Sequence, residues 1–421
     1  MTTAEISGPL PAASAVRFLG KEGVYWRLRI KGAALVVVTL GLYRFWLATD
    51  VRRFLWSNTE ISGETLEYNG LATELLVGFL LAIAILVPLY MTLAVAALEL
   101  EAVEVKPVMI GFVLLVAIGE FALYRARRYR LTRTVFRGVR FDQHGSAWNY
   151  ALRALAWWLL IIVTLGLAYP WAQASLQRFK MRNTSYGDLP GRFEGSGLRL
   201  FLRGLPMWLV VVGPLVAAIV AAIGLIDWDA LSVAMTQRDD DAANNVLTNN
   251  PQFLLATGIF GIAAGISVLA LVLLYPLFQA VVLRWWISGL RFGAVTVTSR
   301  LRTLQVYRVY LRFILYLVLF VLAVAVIGGV GIYVVSVLLR PAHDSSLSEL
   351  GGSAVAVVIY VVTMLGASTI YQVVVTAAMW RLGAQSAELS DAQALDCVRA
   401  TGVPSSALGE GLVDALGVGS I

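Results

Sequence analysis

Residues 39–70 read TLGLYRFWLATDVRRFLWSNTEISGETLEYNG, and residues 164–195 read TLGLAYPWAQASLQRFKMRNTSYGDLPGRFEG. The second stretch starts 125 residues after the first (39 to 164) and aligns without a gap. Thr39/Thr164, Leu40/Leu165, Gly41/Gly166, Leu42/Leu167, Trp46/Trp171, Arg53/Arg178, Phe54/Phe179, Asn58/Asn183, Thr59/Thr184 and Gly70/Gly195 coincide. Each copy passes from an apolar segment, through a glycine-containing break, into a short basic and aromatic helix. Asn-Thr, a glycine and an aromatic residue then predict a tight β-hairpin-like turn. Residues 124–140 (YRARRYRLTRTVFRGVR) repeat the polar half, pairing Arg52/Arg127, Arg53/Arg128, Thr59/Thr134, Gly63/Gly138 and Gly70/Gly145, with Arg133 in place of Asn58. A fainter echo joins residues 275–286 (YPLFQAVVLRWW) to residues 169–180 (YPWAQASLQRFK).

What surrounds the repeat is apolar. Mean hydropathy is +0.78 and only 14% of residues are charged, against about 25% in a soluble domain. The runs at 71–100, 107–124, 201–226, 253–283, 313–339 and 354–379 are each long enough to cross a hydrocarbon core of about 30 Å. The chain is therefore expected to be a polytopic helical membrane protein. Residues 1–22 lack an apolar core behind a basic start, so no cleavable signal is expected, and the run from Ala33 would act as an uncleaved one. A lone cysteine, Cys397, excludes an intramolecular disulfide and a cysteine metal cluster. The formal charge of +7 belongs to segments flanking apolar runs; it sets orientation and does not point to nucleic acid.

Two apolar segments, 33–46 and 154–171, decide the layout. Both flanks of 154–171 are basic, with seven arginines before it (125, 127, 128, 130, 133, 137, 140) and Arg178, Lys180 and Arg182 after it. If it crossed once, one flank would be translocated against the positive-inside rule. The reading is thus an all-α protein of six transmembrane helices in three hairpins, plus two short re-entrant segments bending at Thr-Leu-Gly-Leu, with both termini cytoplasmic. Only Lys106, Arg238 and Arg340 of the 33 basic residues then lie outside. Eight full spans are the alternative. The corresponding units are a mobile N-terminus (1–22), two membrane repeats (23–144 and 145–300), a third hairpin (301–380) and a cytoplasmic tail (381–421). In that tail Ser390 and Gln393 suggest a capping box opening a short helix.

The doubled motif resembles the YjgN-like bacterial inner-membrane family, domain of unknown function 898. The resemblance rests on Thr39, Leu40, Gly41, Leu42, Tyr43, Trp46, Arg52, Arg53, Phe54, Asn58, Thr59, Tyr68 and Gly70, and in the second copy on Thr164, Gly166, Tyr169, Pro170, Trp171, Arg178, Phe179, Asn183, Thr184, Phe193 and Gly195. It covers residues 15–380 and leaves the tail outside. It implies a multi-pass inner-membrane protein and carries no activity, substrate or cofactor with it.

Candidate sites follow from residue type. Gly41, Trp46, Arg53, Asn58, Thr59 and their counterparts Gly166, Trp171, Arg178, Asn183 and Thr184 could hold anionic lipid headgroups or an anionic solute at the cytoplasmic face. Equally they are snorkelling, interfacial and helix-capping residues. Glu120 lies inside an apolar run, so a proton path and an interfacial pair with Arg127 both fit. Tyr275, Gln279, Tyr371 and Gln372, with prolines nearby, could line a polar intramembrane site. Gly261 and Gly265 read as a close helix contact. His144 and His343, the two histidines, fall on opposite sides, and no catalytic, metal or cofactor pattern is present. Transport or permeation of a small solute is the expected role. The alternative is a non-catalytic scaffold docking a partner through the basic face or the tail, with an enzyme of lipid or peptidoglycan precursors a distant third.

Overall fold

The computed structural model describes residues 14–99, 106–225, 228, 232, 251–339, 345–401 and 405–416. Arg238, Arg340, His343 and most of the loop expected after residue 226 lie outside them.

Helix pairs and strands alternate along the chain. β1 (Ser14–Phe18) leads into α1 (Glu22–Val38) and α2 (Arg44–Ser57), which returns into β2 (Thr59–Ile61), β3 (Glu64–Thr65) and β4 (Glu67–Tyr68). α3 (Ala72–Glu99) and α4 (Lys106–Thr132) return into β5 (Thr134–Phe136) and β6 (Val139–Gln143). α5 (Ala147–Val163) and α6 (Tyr169–Arg182) return into β7 (Thr184–Tyr186) and β8 (Leu189–Phe193). α7 (Gly197–Leu225) and α8 (Pro251–Gly289) are followed by β9 (Leu290–Phe292) and β10 (Val295–Ser299). Last come α9 (Thr303–Leu339), α10 (Ser345–Ile370), a π-helical segment (Tyr371–Thr376), α11 (Ala377–Ser386) and β11 (Ala387–Ser390).

The strands form one antiparallel sheet in the order β3-β2-β1-β11-β10-β9-β8-β7-β6-β5-β4. Its two ends, β3 and β4, are separated only by Leu66, so one stretch pairs with β2 through its first half and with β5 through its second. The sheet thus returns on itself. Its core joins Phe136, Val139 and Tyr186 to Ile61, Leu66, Phe141, Leu189 and Phe292. Burial holds the Tyr186 phenol up at about 12, and its hydroxyl donates to the Phe136 carbonyl at 2.9 Å. The all-α expectation is corrected here. Isolated hairpins this short are marginal and leave bare edges; side by side in one sheet, every strand but the terminal β3 and β4 is paired on both sides.

The sheet also fixes how the short apolar segments run. β6 precedes α5 and β7 follows α6, yet the two strands pair directly, Phe141 opposite Tyr186. α5 and α6 therefore leave the sheet and come back to it, and α1 and α2 do the same between β1 and β2. The turns at their tips are superimposable in hydrogen bonding. Leu40 and Gly41 donate to Val37 and Val36 at 3.1 and 2.7 Å; Leu165 and Gly166 donate to Ile162 and Ile161 at 3.1 and 2.7 Å. Both glycines sit at φ +93, where a side chain is disfavoured. Leu40 and Leu165 are left-handed too, at φ 49 and 50, and both are exposed, Leu40 by 95%.

Among the described residues, five helical stretches are long and apolar enough to cross a membrane: Ala72–Thr92, Gly197–Leu225, Pro251–Ser288, Thr303–Val335 and Gly352–Ser386. α3 runs through Pro88 without interruption. α4, expected as a sixth span, is not among them; its second half carries Glu120 and four arginines. The anticipated close contact at Gly261 and Gly265 is also absent, since a side chain on either would meet open space.

The tail is part of the fold. β11 lies between β1 and β10 in the sheet. Ser390 belongs to that strand and the next residue, Asp391, is left-handed, so the expected capping box gives way to a single 3-10 turn, Ala392–Leu395. Leu395 and Val398 pack against the sheet core, Asp396 pairs with Arg137, and Asp188 accepts from the Arg399 N–H at 3.1 Å. α12 (Leu408–Ala415) then wedges between α3 and α4, with Leu412 and Val413 against Ala82, Ala122 and Ala126.

Candidate functional site

The ten motif residues hold the framework together, twice in the same way. Asn58 Nδ2 donates to the Phe54 carbonyl at 2.7 Å and Asn183 Nδ2 to the Phe179 carbonyl at 2.8 Å. Thr59 and Thr184 hydroxyls donate to Leu55 and Lys180 carbonyls, both at 2.7 Å. In the third copy Thr134 does so to Arg130 at 2.8 Å. These side chains take up carbonyls that a helix end would leave free, just where the chain turns into a strand. Arg53 and Arg178 reach the Gly70 and Gly195 carbonyls at 3.2 and 3.1 Å, tying each incoming helix to the next outgoing one. Trp46 stacks on Tyr43 and Trp171 packs on Phe201, while Gly41 and Gly166 form the tip turns.

The polar residues picked from the apolar runs behave differently. Tyr275, Gln279 and Tyr371 line one cavity of about 460 Å³ between α6, α8, α9 and the π-helical segment. Gln173 and Gln177 of α6, Tyr310 of α9, Trp285 and Trp286 of α8, and Thr376, Met379 and Trp380 share the wall, with no charged side chain among them. Gln279 Nε2 donates to the Tyr275 hydroxyl at 2.7 Å, and Tyr275 meets Tyr310 edge-to-face at 5.5 Å. The π-helical segment begins at Tyr371 and supplies three of the lining residues; such wider turns recur at functional sites. Gln372, beside it, keeps Oε1 buried without a partner. The cavity and the motif are joined through Trp380. Its Nε1 donates to Thr59 Oγ1 at 3.0 Å, and its ring stacks on Trp56 at 4.8 Å.

Glu120 belongs to neither group. Its Oε1 accepts from Trp158 Nε1 at 2.8 Å, not from Arg127. Arg127 instead donates to Gln143 Oε1 at 2.6 Å and Thr184 Oγ1 at 3.0 Å; burial among neutral partners brings it down to about 10. Lys180, one turn past Gln177 on the same face of α6, is brought down to about 8 by burial and then by Arg127. Nearby, Glu410 of α12 accepts from Arg52 at 2.8 Å and forms an ion pair with Arg130 at 3.1 Å. Burial opposes the Arg52 charge, but Glu410 and Tyr68 outweigh it and hold that guanidinium above its ordinary range.

Sequence reasoning missed Glu410, which lies 358 residues from Arg52. It also missed Gln173, for which a signal existed: the echo of residues 169–180 in 275–286 aligns Gln173 with Gln279, and both face the cavity. His144 is exposed beside Asp142 at 3.3 Å. Among the described residues no group of three His, Cys, Asp or Glu side chains could hold a metal ion.

Comparison with known proteins agrees with the family resemblance and extends its range into the tail. The chain is 27% identical over 139 residues to "Inner membrane protein YjgN" of Salmonella typhimurium, a match covering 32% of this chain and 33% of that relative. The chain thus spans about a third of the length of the curated relative it matches. No solved structure matches. Residues 13–415 match the family described as "Bacterial protein of unknown function (DUF898)", a range that takes in β11 and α12 along with both copies of the motif. The chain belongs to that family.

Proposed function

We propose that this is a multi-pass inner-membrane protein that lets a small uncharged, hydrogen-bonding solute cross, and that the cavity between α6, α8, α9 and the π-helical segment binds it. The cavity carries the proposal. Three glutamine amides and several aromatic rings offer donors, acceptors and stacking faces, with no fixed charge to hold an ion. That mixture of apolar walls and a few polar groups is the usual make-up of a small-molecule site. In this reading α1/α2 and α5/α6 dip into the bilayer from the sheet side and return, and the sheet and both termini are cytoplasmic. Supporting it are the exposed tip leucines, Leu40 and Leu165, and the basic residues gathered next to the strands. α6 contributes Gln173 and Gln177 to the wall, so movement of the second short hairpin would open or close the cavity.

The test is osmotic shrinkage of proteoliposomes with a panel of uncharged osmolytes (urea, glycerol, xylitol). At least one should equilibrate faster than in protein-free vesicles, and Gln279→Leu with Gln173→Leu should slow it at least tenfold. Rates equal to those of empty vesicles for every osmolyte would remove the proposal. A docking role for the tail remains the second reading. It requires α12 to leave the place it already occupies between α3 and α4.

A further inference from the structure

Two adjoining clefts flank α1 and present two kinds of surface. The larger, about 680 Å³, lies between α1, α9 and α10 and is walled by side chains such as Trp26, Ile30, Leu319, Phe320 and Leu365. That is within the roughly 300–1,000 Å³ of small-ligand sites. Ala33 and Ala34 leave α1 thin on this side, and Gly366 lets α10 come close to Phe320.

Towards the sheet, α1, α9, the π-helical segment and α11 line a much smaller cleft, about 30 Å³, that contains Lys21, Glu22, Arg312 and Arg381 among apolar neighbours. The two clefts share no lining residue but adjoin along the chain. Tyr25 lines the smaller and Trp26 the larger; Arg312 precedes Tyr316 by one turn; Val373 follows Ile370 by one turn. Three cations and one carboxylate leave this end with a surplus of positive charge. Arg312 uses Glu22, at 2.6 Å, whereas Lys21 and Arg381 have no ion-pair partner among the described residues. Tyr25 is 2% exposed, and its hydroxyl has no hydrogen-bond partner. α1 starts here as well, with no side-chain cap on its first N–H groups, an arrangement that favours an anion.

We propose that the two clefts together bind an anionic glycerophospholipid, the phosphate held at Lys21, Arg312 and Arg381 and an acyl chain laid between α1, α9 and α10. One ligand answers both halves: a phosphate for the surplus cations, a hydrocarbon tail for the walls above. A free phosphate would leave the apolar part unfilled. A zwitterionic lipid would bring an ammonium group to an end already in positive excess. The proposal does not depend on solute passage, and its test does not measure flux.

The full chain, purified in detergent and stripped of lipid, is offered phosphatidylglycerol, phosphatidylcholine or inorganic phosphate, and binding is read by native mass spectrometry and by the shift in melting temperature. Phosphatidylglycerol should be retained at least tenfold better than phosphatidylcholine, and phosphate alone should give no shift. Lys21→Gln with Arg381→Gln should reduce phosphatidylglycerol retention at least tenfold while leaving the melting temperature of the lipid-free protein unchanged. Ala34→Phe, which fills the apolar part and leaves the charges in place, should reduce retention of both lipids. It decides the matter if the charge variant fails to fold. Equal retention of the two lipids by the wild type, phosphatidylglycerol retention insensitive to either change, or a full melting shift with phosphate alone would overturn the proposal.

Discussion

Glu410→Gln is the substitution for which the structure makes the sharpest claim. Glu410 is 5% exposed and serves two guanidinium groups, Arg52 at 2.8 Å and Arg130 at 3.1 Å. Arg52 is itself 6% exposed. Removing one partner from a buried pair costs about 3–5 kcal/mol, most of it the penalty of stranding the remaining charge. Glutamine keeps the shape and one acceptor but strands two cations at once. Arg52→Met leaves Glu410 with Arg130, and Arg130→Met leaves it with Arg52, so each should cost less, about 1–3 kcal/mol for a lost charged hydrogen bond. The predicted order is therefore Glu410→Gln worst, with either arginine variant milder. Since this carboxylate ties α12 to α2 and α4, the loss should show first as release of the tail. Limited proteolysis should cut residues 402–416 faster in Glu410→Gln, and the melting temperature in detergent should fall. If Glu410→Gln melts and resists protease as the wild type does, or if an arginine variant is the more damaging, the ion pairs do not anchor α12.

Other predictions follow from other parts of the fold. Lys180 is protonated up to about pH 8 in the folded protein, against 10.5 ordinarily; the unfolded chain therefore binds more protons between those values, and stability should rise as pH increases through that window. Lys180→Met should flatten this rise and raise the melting temperature below pH 8; identical melting curves against pH for the two proteins would contradict it. Gly41→Ala and Gly166→Ala force a side chain to φ +93 and should each lose about 1–3 kcal/mol, whereas Gly213→Ala, inside α7 with open space around it, should be neutral or mildly stabilising. Deleting residues 387–421 removes β11 from between β1 and β10 and should cut the yield of folded protein much more than deleting 402–421, which removes only α12; equal yields from the two deletions would show that the sheet does not need its eleventh strand.

How much of this was legible in the sequence depended on distance along the chain. The turn at each Thr-Leu-Gly-Leu could be read locally, because a glycine after an apolar run marks a break. β2 pairs with β1, and β6 with β7, so the helix pair between each two strands returns to the sheet. The capping of helix ends by Asn58, Thr59, Asn183 and Thr184 was equally local, a side chain meeting a carbonyl four residues back. The sheet was not legible as a sheet. Each hairpin announces itself by an Asn-Thr and a glycine, but nothing in a three-residue strand such as Thr59–Ile61 says that its neighbour will be Ser14–Phe18. The tail was misjudged for a related reason. Residues 387–416 look polar and separate because their contacts lie hundreds of positions away: Leu389 opposite Ser14, Glu410 against Arg52.

The cavity stands between these cases. Tyr275, Gln279 and Tyr371 were conspicuous because polar groups in apolar helices need partners, and the structure brings those three to one wall. Gln173 sat unnoticed in a helix that already looked polar, although its alignment with Gln279 placed it. Long apolar helices thus reveal their cavity-lining side chains by contrast, and short polar ones hide them, as the second short hairpin hid Gln173.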